Sequence, residues 1–138
     1  MAANDIKQAI VSRMNAHGLN DLVGASGARR FFSMAAPSWA DLPWIAFQRI
    51  GGTGIYGGGT GKKAPTAEVM FRIAAKSTSS LESIQQQLLA AFDGDGFPGS
   101  HAGVTVDLAR VLTDGIDDYD PGSETYFSAM IFEFGWVV

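Results

Sequence analysis

The chain contains 138 residues, of which 46% are apolar, so one domain with a sizeable hydrophobic core is expected and wholesale disorder is excluded. It has no cysteine, which excludes a disulfide framework and a thiolate metal site. Its ten Lys and Arg residues against fourteen Asp and Glu residues give a net charge of −4, which excludes a general duplex-DNA binder. The first residues lack the apolar segment of an export signal, and no stretch reaches the ~18 apolar residues of a membrane span, so a soluble intracellular protein is expected.

The N-terminal third is predicted to form one helix and two strands. The helix is indicated by Ile6, Ile10 and Met14, three apolar residues at a spacing of four. Residues 30–34 and 44–50 are then predicted as strands, with a proline-containing connection between them.

Residues 51–65 are predicted to form a long mobile loop, because seven of them are glycine and glycine loses the most chain entropy on ordering. The Gly-Thr-Gly-Ile-Tyr-Gly segment has the letters of a dinucleotide fingerprint, but that motif holds a pyrophosphate at the start of a helix, and here a strand follows. A phosphate-binding loop fails too, because Lys63 stands where Ser or Thr must hold magnesium. No nucleotide cofactor is therefore expected.

The middle of the chain predicts a third strand followed by the clearest helix. Residues 67–76 alternate between apolar and polar, as in a strand with one solvated side. Residues 78–92 carry an apolar stripe at helical spacing that is expected to lie on a sheet, and the three glutamines at 85–87 are assigned to the solvated side of this helix. Ser77, Thr78 and Ser79 are the candidate N-caps. The stripe consists of Leu81, Ile84, Leu88 and Phe92.

The C-terminal part predicts two more strands, over 104–112 and 124–138, with an acidic loop over 113–123 between them. The last strand is apolar on both faces, which is typical of the centre of a sheet or of a subunit interface. The element order α-β-β-β-α-β-β predicts an α+β domain with a mostly antiparallel sheet of about five strands and both helices packed on one face. The other face is expected to be too apolar for an isolated monomer near Ile131 and Val137.

Charge is distributed unevenly along the chain. Residues 1–92 carry nine Lys or Arg and five Asp or Glu, whereas residues 93–138 carry only Arg110 against nine acids. A monomer polarised in this way is able to pair its faces head to tail, as the subunits of rings do; the alternative is that the asymmetry only aids solubility. The acids of 114–120 lack the spacing of a calcium loop, so a solvated acidic turn is expected there and no metal site.

No arrangement of residues predicts catalysis, because neither histidine lies in a recognisable catalytic context and no nucleophile motif is present. A small nucleic-acid-binding domain is the alternative from another class, since aromatic residues on strands are able to stack on bases. The acidic C-terminal half would repel a phosphate backbone, so these aromatics are expected in the core or at an interface. The candidates are Phe31, Phe71, Tyr126 and Phe132.

The segment from Gly115 to Tyr126 reads Gly-Ile-Asp-Asp-Tyr-Asp-Pro-Gly-Ser-Glu-Thr-Tyr. It resembles the closing hairpin of phage tail-completion proteins, also called tail terminators. In that family a Tyr-Asp-Pro turn leads to a tyrosine and to a last strand with an aromatic-rich end, as the Phe-Gly-Trp at 134–136 is here. The opening helix and the Leu-Pro-Trp-Ile-Ala-Phe segment at 42–47 are also similar to the family, so the resemblance covers residues 5–138.

The resemblance implies a structural virion protein without catalysis or cofactor, in a single domain over residues 1–138. Members form rings, commonly hexamers, that end the finished tube and bind the major tail tube protein and the head connector. Genomic DNA passes through the ring without sequence readout. The implied location is the tail-neck junction of the virion, after assembly in the host cytoplasm without a membrane. A head-completion protein is the alternative within this class.

The predicted interface residues fall into an axial docking loop, an acidic rim and aromatic residues of the last strand. Phe132, Phe134 and Trp136 are expected either in the core or between subunits. Many family members carry basic residues where this chain has Phe-Ser at 127–128, so the charged contact they make is not expected here. The interface residues are Tyr56, Lys62 and Lys63 in the loop, Asp117, Asp118 and Asp120 in the rim, and Tyr126 and Trp136 in the last strand.

Overall fold

The computed structural model describes residues 2–16, 31–34, 42–52, 66–93, 98–101 and 104–137. The strands form one six-stranded sheet in the order β1-β2-β3-β6-β5-β4, in which only the β1–β2 pair is parallel. The predicted α+β class and mostly antiparallel sheet are confirmed. In chain order the elements are α1 (Ala2–Ala16), β1 (Phe31–Ser33), β2 (Trp44–Gly51), β3 (Thr66–Ala75), α2 (Thr78–Phe92), β4 (Gly99–His101), β5 (Val104–Asp120) and β6 (Thr125–Val137).

Both helices pack on one face of the sheet, because each presents one apolar stripe to it. The predicted stripes of α1 and α2 are buried along their whole length and belong to a single core with β2, β3, β5 and β6. The Arg13 Nε donates a hydrogen bond to the Ala91 carbonyl oxygen at 2.9 Å, which joins α1 to the end of α2. Neither helix of the described part of the chain is long and apolar enough to cross a membrane.

Polar contacts fix both ends of α2. Ser77 is the N-cap, and its Oγ accepts a hydrogen bond from the Ser80 amide at 3.1 Å. At the other end the Asp93 amide donates to the Leu89 carbonyl at 2.9 Å, and the Asp93 Oδ1 accepts from the Val111 amide on β5 at 3.0 Å. The end of the helix is therefore joined directly to the sheet.

Phe71 lies at the centre of an aromatic core that joins the sheet to α2. Its ring centroid is 6.1 Å from that of Phe47, 5.2 Å from Phe92 and 5.4 Å from Phe132, within the range of favourable ring pairs. Phe71 and Phe132 are fully buried, so they are unable to stack on bases. This removes two of the aromatics on which the nucleic-acid alternative depended.

The predicted acidic loop over 113–123 is wrong for most of its length. β5 continues to Asp120, and only residues 121–124 form the turn before β6. The strand continues because β6 provides a cross-strand partner as far as the Asp120–Thr125 pair. The short strand Gly99–His101, which was not predicted from the sequence, pairs with the first residues of β5.

The strand predicted over 104–112 does not keep a regular alternation of buried and exposed side chains, because the pairing of β5 with β6 is irregular. The register shifts at three places, between Val106 and Leu108, between Val111 and Thr113, and between Thr113 and Ile116. Each extra residue shifts the following side chains to the other face and adds local twist. Val106 is buried as predicted, but Leu112 is exposed.

Candidate functional site

The far end of the β5–β6 hairpin, residues 113–129, contains four of the eight predicted interface residues and is called the hairpin arm. Residues 114–124 are all exposed. The arm carries no Lys or Arg, so its charge is entirely negative and it stands out from the rest of the domain as an acidic projection. Its acidic residues are Asp114, Asp117, Asp118, Asp120 and Glu124.

Asp120 organises the turn of the hairpin arm. Its Oδ1 accepts a hydrogen bond from the Gly122 amide at 3.1 Å, and its Oδ2 accepts from the Ser123 hydroxyl at 2.7 Å. Glu124 closes the turn in the left-handed region, with φ of 52°. The Tyr-Asp-Pro segment that carried the family resemblance therefore has a structural role, in which the aspartate holds the residues that follow it.

The hydrogen bond from the Ser123 hydroxyl, followed by that from the Gly122 amide, lowers the pKa of Asp120 because both donors favour the charged carboxylate. Because the pKa of Asp120 is lower in the folded state, the ionised carboxylate stabilises the fold at neutral pH. This stabilisation is lost as the pH falls from the ordinary aspartate range through the lowered pKa.

Replacing Ser123 with alanine is expected to raise the pKa of Asp120 towards its ordinary value. An NMR titration of the Asp120 carboxyl measures the shift, with Ser83→Ala on the exposed side of α2 as the control. An unchanged titration in Ser123→Ala would contradict this account.

Gln85 of α2 holds the side of the hairpin arm that faces the helices. Its Nε2 donates one hydrogen bond to the Asp117 Oδ1 at 2.8 Å and another to the Ser128 Oγ at 2.7 Å. A side chain at Gly115 would place its Cβ only 3.2 Å from this Nε2, so glycine leaves room for the contact. The arm is thus bonded to the core helix as well as paired within the sheet.

The assignment of Gln85 to the solvated side of the helix is wrong, although Gln86 is exposed as predicted. Gln85 follows Leu81 by four residues and precedes Leu88 by three, which places it on the buried stripe itself. That spacing was the available signal. A glutamine on an apolar stripe indicates a buried polar partner, because the amide must be hydrogen-bonded there.

Replacing Gln85 with alanine is expected to lower the free energy of unfolding by about 2 kcal/mol. Ser128 is only 3% exposed, and the substitution removes the Gln85 Nε2–H that donates to its hydroxyl. Gln86→Ala, one residue along and exposed, is the matched control and is expected to change stability by less than about 0.5 kcal/mol. Urea denaturation measures both values. Hydrogen exchange in residues 115–119 is expected to accelerate only in the Gln85 variant; equal stability of the two variants would show that the contact is not significant.

The predicted acidic rim is divided between the two faces of the hairpin arm. Asp117 pairs across the strands with Ser128, on the side of the helices, whereas Asp118 pairs with Phe127 and faces the other way, as does Asp120. The described residues contain no group of three or more side chains suited to hold a metal ion. The carboxylates therefore surround the arm, and their role as a rim stays a prediction.

The sheet face away from the helices carries a shallow hollow of about 370 Å³ beside the hairpin arm, lined in part by Arg72, Ile116 and Phe127. Phe127 packs edge-on against Trp44, with ring centroids 6.3 Å apart. Ile131 of the same face is half-buried. This face is thus partly apolar, and two exposed cations, Arg72 and Lys76, lie on it beside the acidic arm.

The remaining predicted residues lie apart from one another. Tyr126 is half-buried against the core, with its ring centroid 4.6 Å from that of Tyr119. Trp136 is 2% exposed and lies in the core, and its Nε1 has no hydrogen-bond partner within the described part of the chain. Phe132 and Phe134 lie in the same core, whereas any subunit contact of these aromatics stays a prediction. The mobile loop was predicted over 51–65, but Gly51 is the last residue of β2. The rest of the predicted loop from residue 53 onward, with Tyr56, Lys62 and Lys63, lies outside the described residues.

Sequence reasoning missed the exposed apolar residues of β5. Ile116 is 61% exposed, and Leu112 and Tyr119 are each 43% exposed. Leu112 lies in a predicted strand, and Ile116 and Tyr119 lie in the predicted acidic loop. The irregularities that turn these side chains outward leave no mark in the hydrophobic pattern.

The fold is similar to a chain of the structure described as "Virion of native gene transfer agent (GTA) particle", with a TM-score of 0.61. The similarity covers 87% of this chain and 84% of that chain, at 7% sequence identity. At this identity the likeness is one of fold. No protein-family model matches the chain, and no curated protein matches its sequence.

Proposed function

We propose that this chain is a structural subunit of a phage-like virion, and more specifically a tail terminator, whose ring ends the tail tube and joins it to the head connector. The observation that carries the proposal is the shared fold with a chain of a gene transfer agent virion, which extends over 87% of this chain and 84% of the other. The closing hairpin, on which the family resemblance depends, is present as a β5–β6 pair with three register shifts and the Asp120 turn at its end.

The charge of the hairpin arm suits a place near passing DNA. The arm carries five exposed carboxylates and no Lys or Arg of its own, so it is expected to repel a phosphate backbone even though Arg72 and Lys76 lie beside it. A surface of this kind lets DNA slide past, whereas a basic surface would hold it and bind in a salt-dependent way. The proposed role needs surfaces for other virion proteins and requires neither a catalytic group nor a cofactor.

The proposed partners are further copies of this chain in a ring, commonly of six, together with the tail tube protein and the head connector or stopper. In this assignment the whole chain, residues 1–138, acts as one domain at the tail-neck junction. Tyr56, Lys62 and Lys63 form an axial docking loop that orders on contact with the tube or the connector.

The test uses particle-producing cells from which this chain has been removed. The proposal expects heads and tails to accumulate separately, and the supplied wild-type chain to restore joined particles. Complete particles in the absence of the chain would overturn the proposed function. Binding of the purified chain to DNA-filled heads but not to tail tubes would instead favour a head-completion protein of the neck.

In the same cells, replacing Lys62 and Lys63 with glutamate is expected to leave folding unchanged and to abolish joining, because the docking contact is proposed to depend on their positive charge. Replacing both with arginine keeps the charge and is expected to support joining, which makes it the matched control. Circular dichroism of each purified variant checks folding. Full joining by the glutamate variant would remove the docking role from these lysines.

A further inference from the structure

The described residues expose five large hydrophobic side chains, and these lie at the two opposite sides of the sheet. Met34 is 58% exposed and Ile50 is 44% exposed, both beside the β1–β2 pair. Leu112, Ile116 and Tyr119 lie on β5, near the other edge of the sheet. Exposed apolar residues concentrated on strand edges indicate surfaces that pair with another chain.

Within the part of the chain that the structure describes, no strand covers the outer edge of β5 over the hairpin arm, and this stretch is called the open edge of β5. β4 pairs only with Val104–Val106, and the Asp93 carboxylate accepts the hydrogen bond of the Val111 amide. From Leu112 to Asp120, β5 has β6 on one side and no described strand on the other. Within the described residues, the backbone donors and acceptors on that side have no partner strand. One amide of this stretch is already used, because the Tyr119 N–H donates to the Asp118 Oδ1 at 2.8 Å.

Among the described residues, no strand covers the outer edge of β2 over its second half, and this stretch is called the open edge of β2. β1 pairs with residues 45–47 of β2, and the Met34 amide donates to the Phe47 carbonyl at 2.8 Å. Beyond this point, β2 has β3 on one side and no described strand on the other. This stretch contains the exposed pair Arg49 and Ile50.

The two open edges complement each other in charge and in apolar character. The β5 edge combines exposed apolar side chains with the carboxylates of the hairpin arm, whereas the β2 edge combines Met34 and Ile50 with the cation of Arg49. Pairing two β5 edges would bring carboxylates against carboxylates, which is unfavourable. The best partner for one edge is therefore the other edge of a second copy.

We propose that the open edge of β5 in one copy pairs with the open edge of β2 in the next copy, so that the sheet continues across the interface. Ile116 and Leu112 of the first copy then lie against Met34 and Ile50 of the second. The contact is heterologous, because the two surfaces differ, and repeated contacts of this kind close into a ring when the rotation permits. The inference rests on the proposed function, which requires a ring.

The natural absence of cysteine makes the contact directly testable. Two single variants, Ile50→Cys and Ile116→Cys, are purified separately, mixed at high concentration, and treated with a short flexible bismaleimide. The reagent tolerates a register difference of two residues, roughly 7 Å along a strand. The proposal expects covalent dimers in the mixture and none in either variant alone. Gln86→Cys, on the exposed side of α2, replaces each partner in turn as the control and is expected to give no dimer.

Covalent dimers of Ile116→Cys alone would overturn the proposal by showing a contact between like edges, and the absence of any dimer in the mixture would overturn it as well. The double variant Ile50→Cys, Ile116→Cys extends the test, since a head-to-tail contact is expected to give a ladder of covalent multimers that ends at the closed ring.

The two proposals fail in different ways. If light scattering shows a ring and the chain restores joined particles, but Ile50→Cys and Ile116→Cys do not cross-link, the edge pairing is wrong and the proposed function stands. If the cross-link forms but particles are complete without this chain, the edge pairing stands and the proposed function is wrong.

Discussion

Replacing Phe71 with alanine is expected to lower the free energy of unfolding by about 4 kcal/mol, because it empties the centre of the core. Phe71 is fully buried, and its ring contacts those of Phe47, Phe92 and Phe132. The change removes the apolar transfer energy of one ring, leaves a cavity between the sheet and α2, and breaks three ring pairs. Since small domains have about 5–15 kcal/mol of total stability, much of the stability is lost.

The matched control is Phe127→Ala on the opposite face of the same sheet. Phe127 is half-buried, and among the described residues its ring pairs only with that of Trp44. Its loss is therefore expected to cost about 1–2 kcal/mol. Chemical denaturation of the two variants measures the difference. Equal losses of stability would mean that the helices do not complete a core around Phe71. A Phe71→Ala variant that fails to fold, while Phe127→Ala folds, would support the central position of Phe71. In that case Phe71→Leu gives a smaller loss of stability that is measurable.

The core was the most predictable part of this fold, because its signal is a simple period. β3 alternates from Thr66 to Ile73, and its pattern of buried Val69, Phe71 and Ile73 follows from the sequence. The stripe of α2 is read in the same way at a spacing of three and four. Where a regular helix or strand packs on another regular element, the spacing of apolar residues in the sequence predicts which side chains are buried.

β5 was the least predictable element, because its geometry depends on its partner strand. Three irregularities shift its register against β6, and they place Leu112 and Ile116 in solvent although both are apolar. The acidic second half lacks the composition of a strand, yet it is extended because β6 continues beside it to Thr125. β4 depends on β5 in the same way, as three residues that form a strand only by pairing.

The candidate site was predictable in composition but not in arrangement. The acids and the Asp120 turn are evident in the sequence, and the turn chemistry of Asp-Pro-Gly-Ser explains its hydrogen bonds. Which carboxylates share a face was not evident, since one residue of register separates the helix side from the open side. Asp117 lies on the helix side through Gln85, and Asp118 on the other.

Replacing Ile116 with lysine is expected to prevent self-association while leaving the monomer folded. The side chain is 61% exposed, so the change in folding stability is expected to stay within about 0.5 kcal/mol. In the proposed contact the same side chain is covered by the β2 edge of the next copy. Loss of its apolar burial costs about 1.5–3 kcal/mol per contact, and the new cation faces Arg49 of that copy. Each contact is therefore expected to weaken by more than about tenfold.

A ring multiplies this effect, because every subunit interface carries the same substitution and closure requires all of them. Sedimentation velocity over a range of concentrations is expected to show multimers for the wild-type chain and for Ile116→Val, which keeps the apolar contact, but only monomers for Ile116→Lys. Gln86→Lys adds the same charge on the exposed side of α2 and is expected to associate like the wild type, so it separates a local effect from a change in net charge. Unchanged association of Ile116→Lys would mean that the β5 edge is not buried between copies, and the hairpin arm would then have to be assigned to contacts with the tube or the connector.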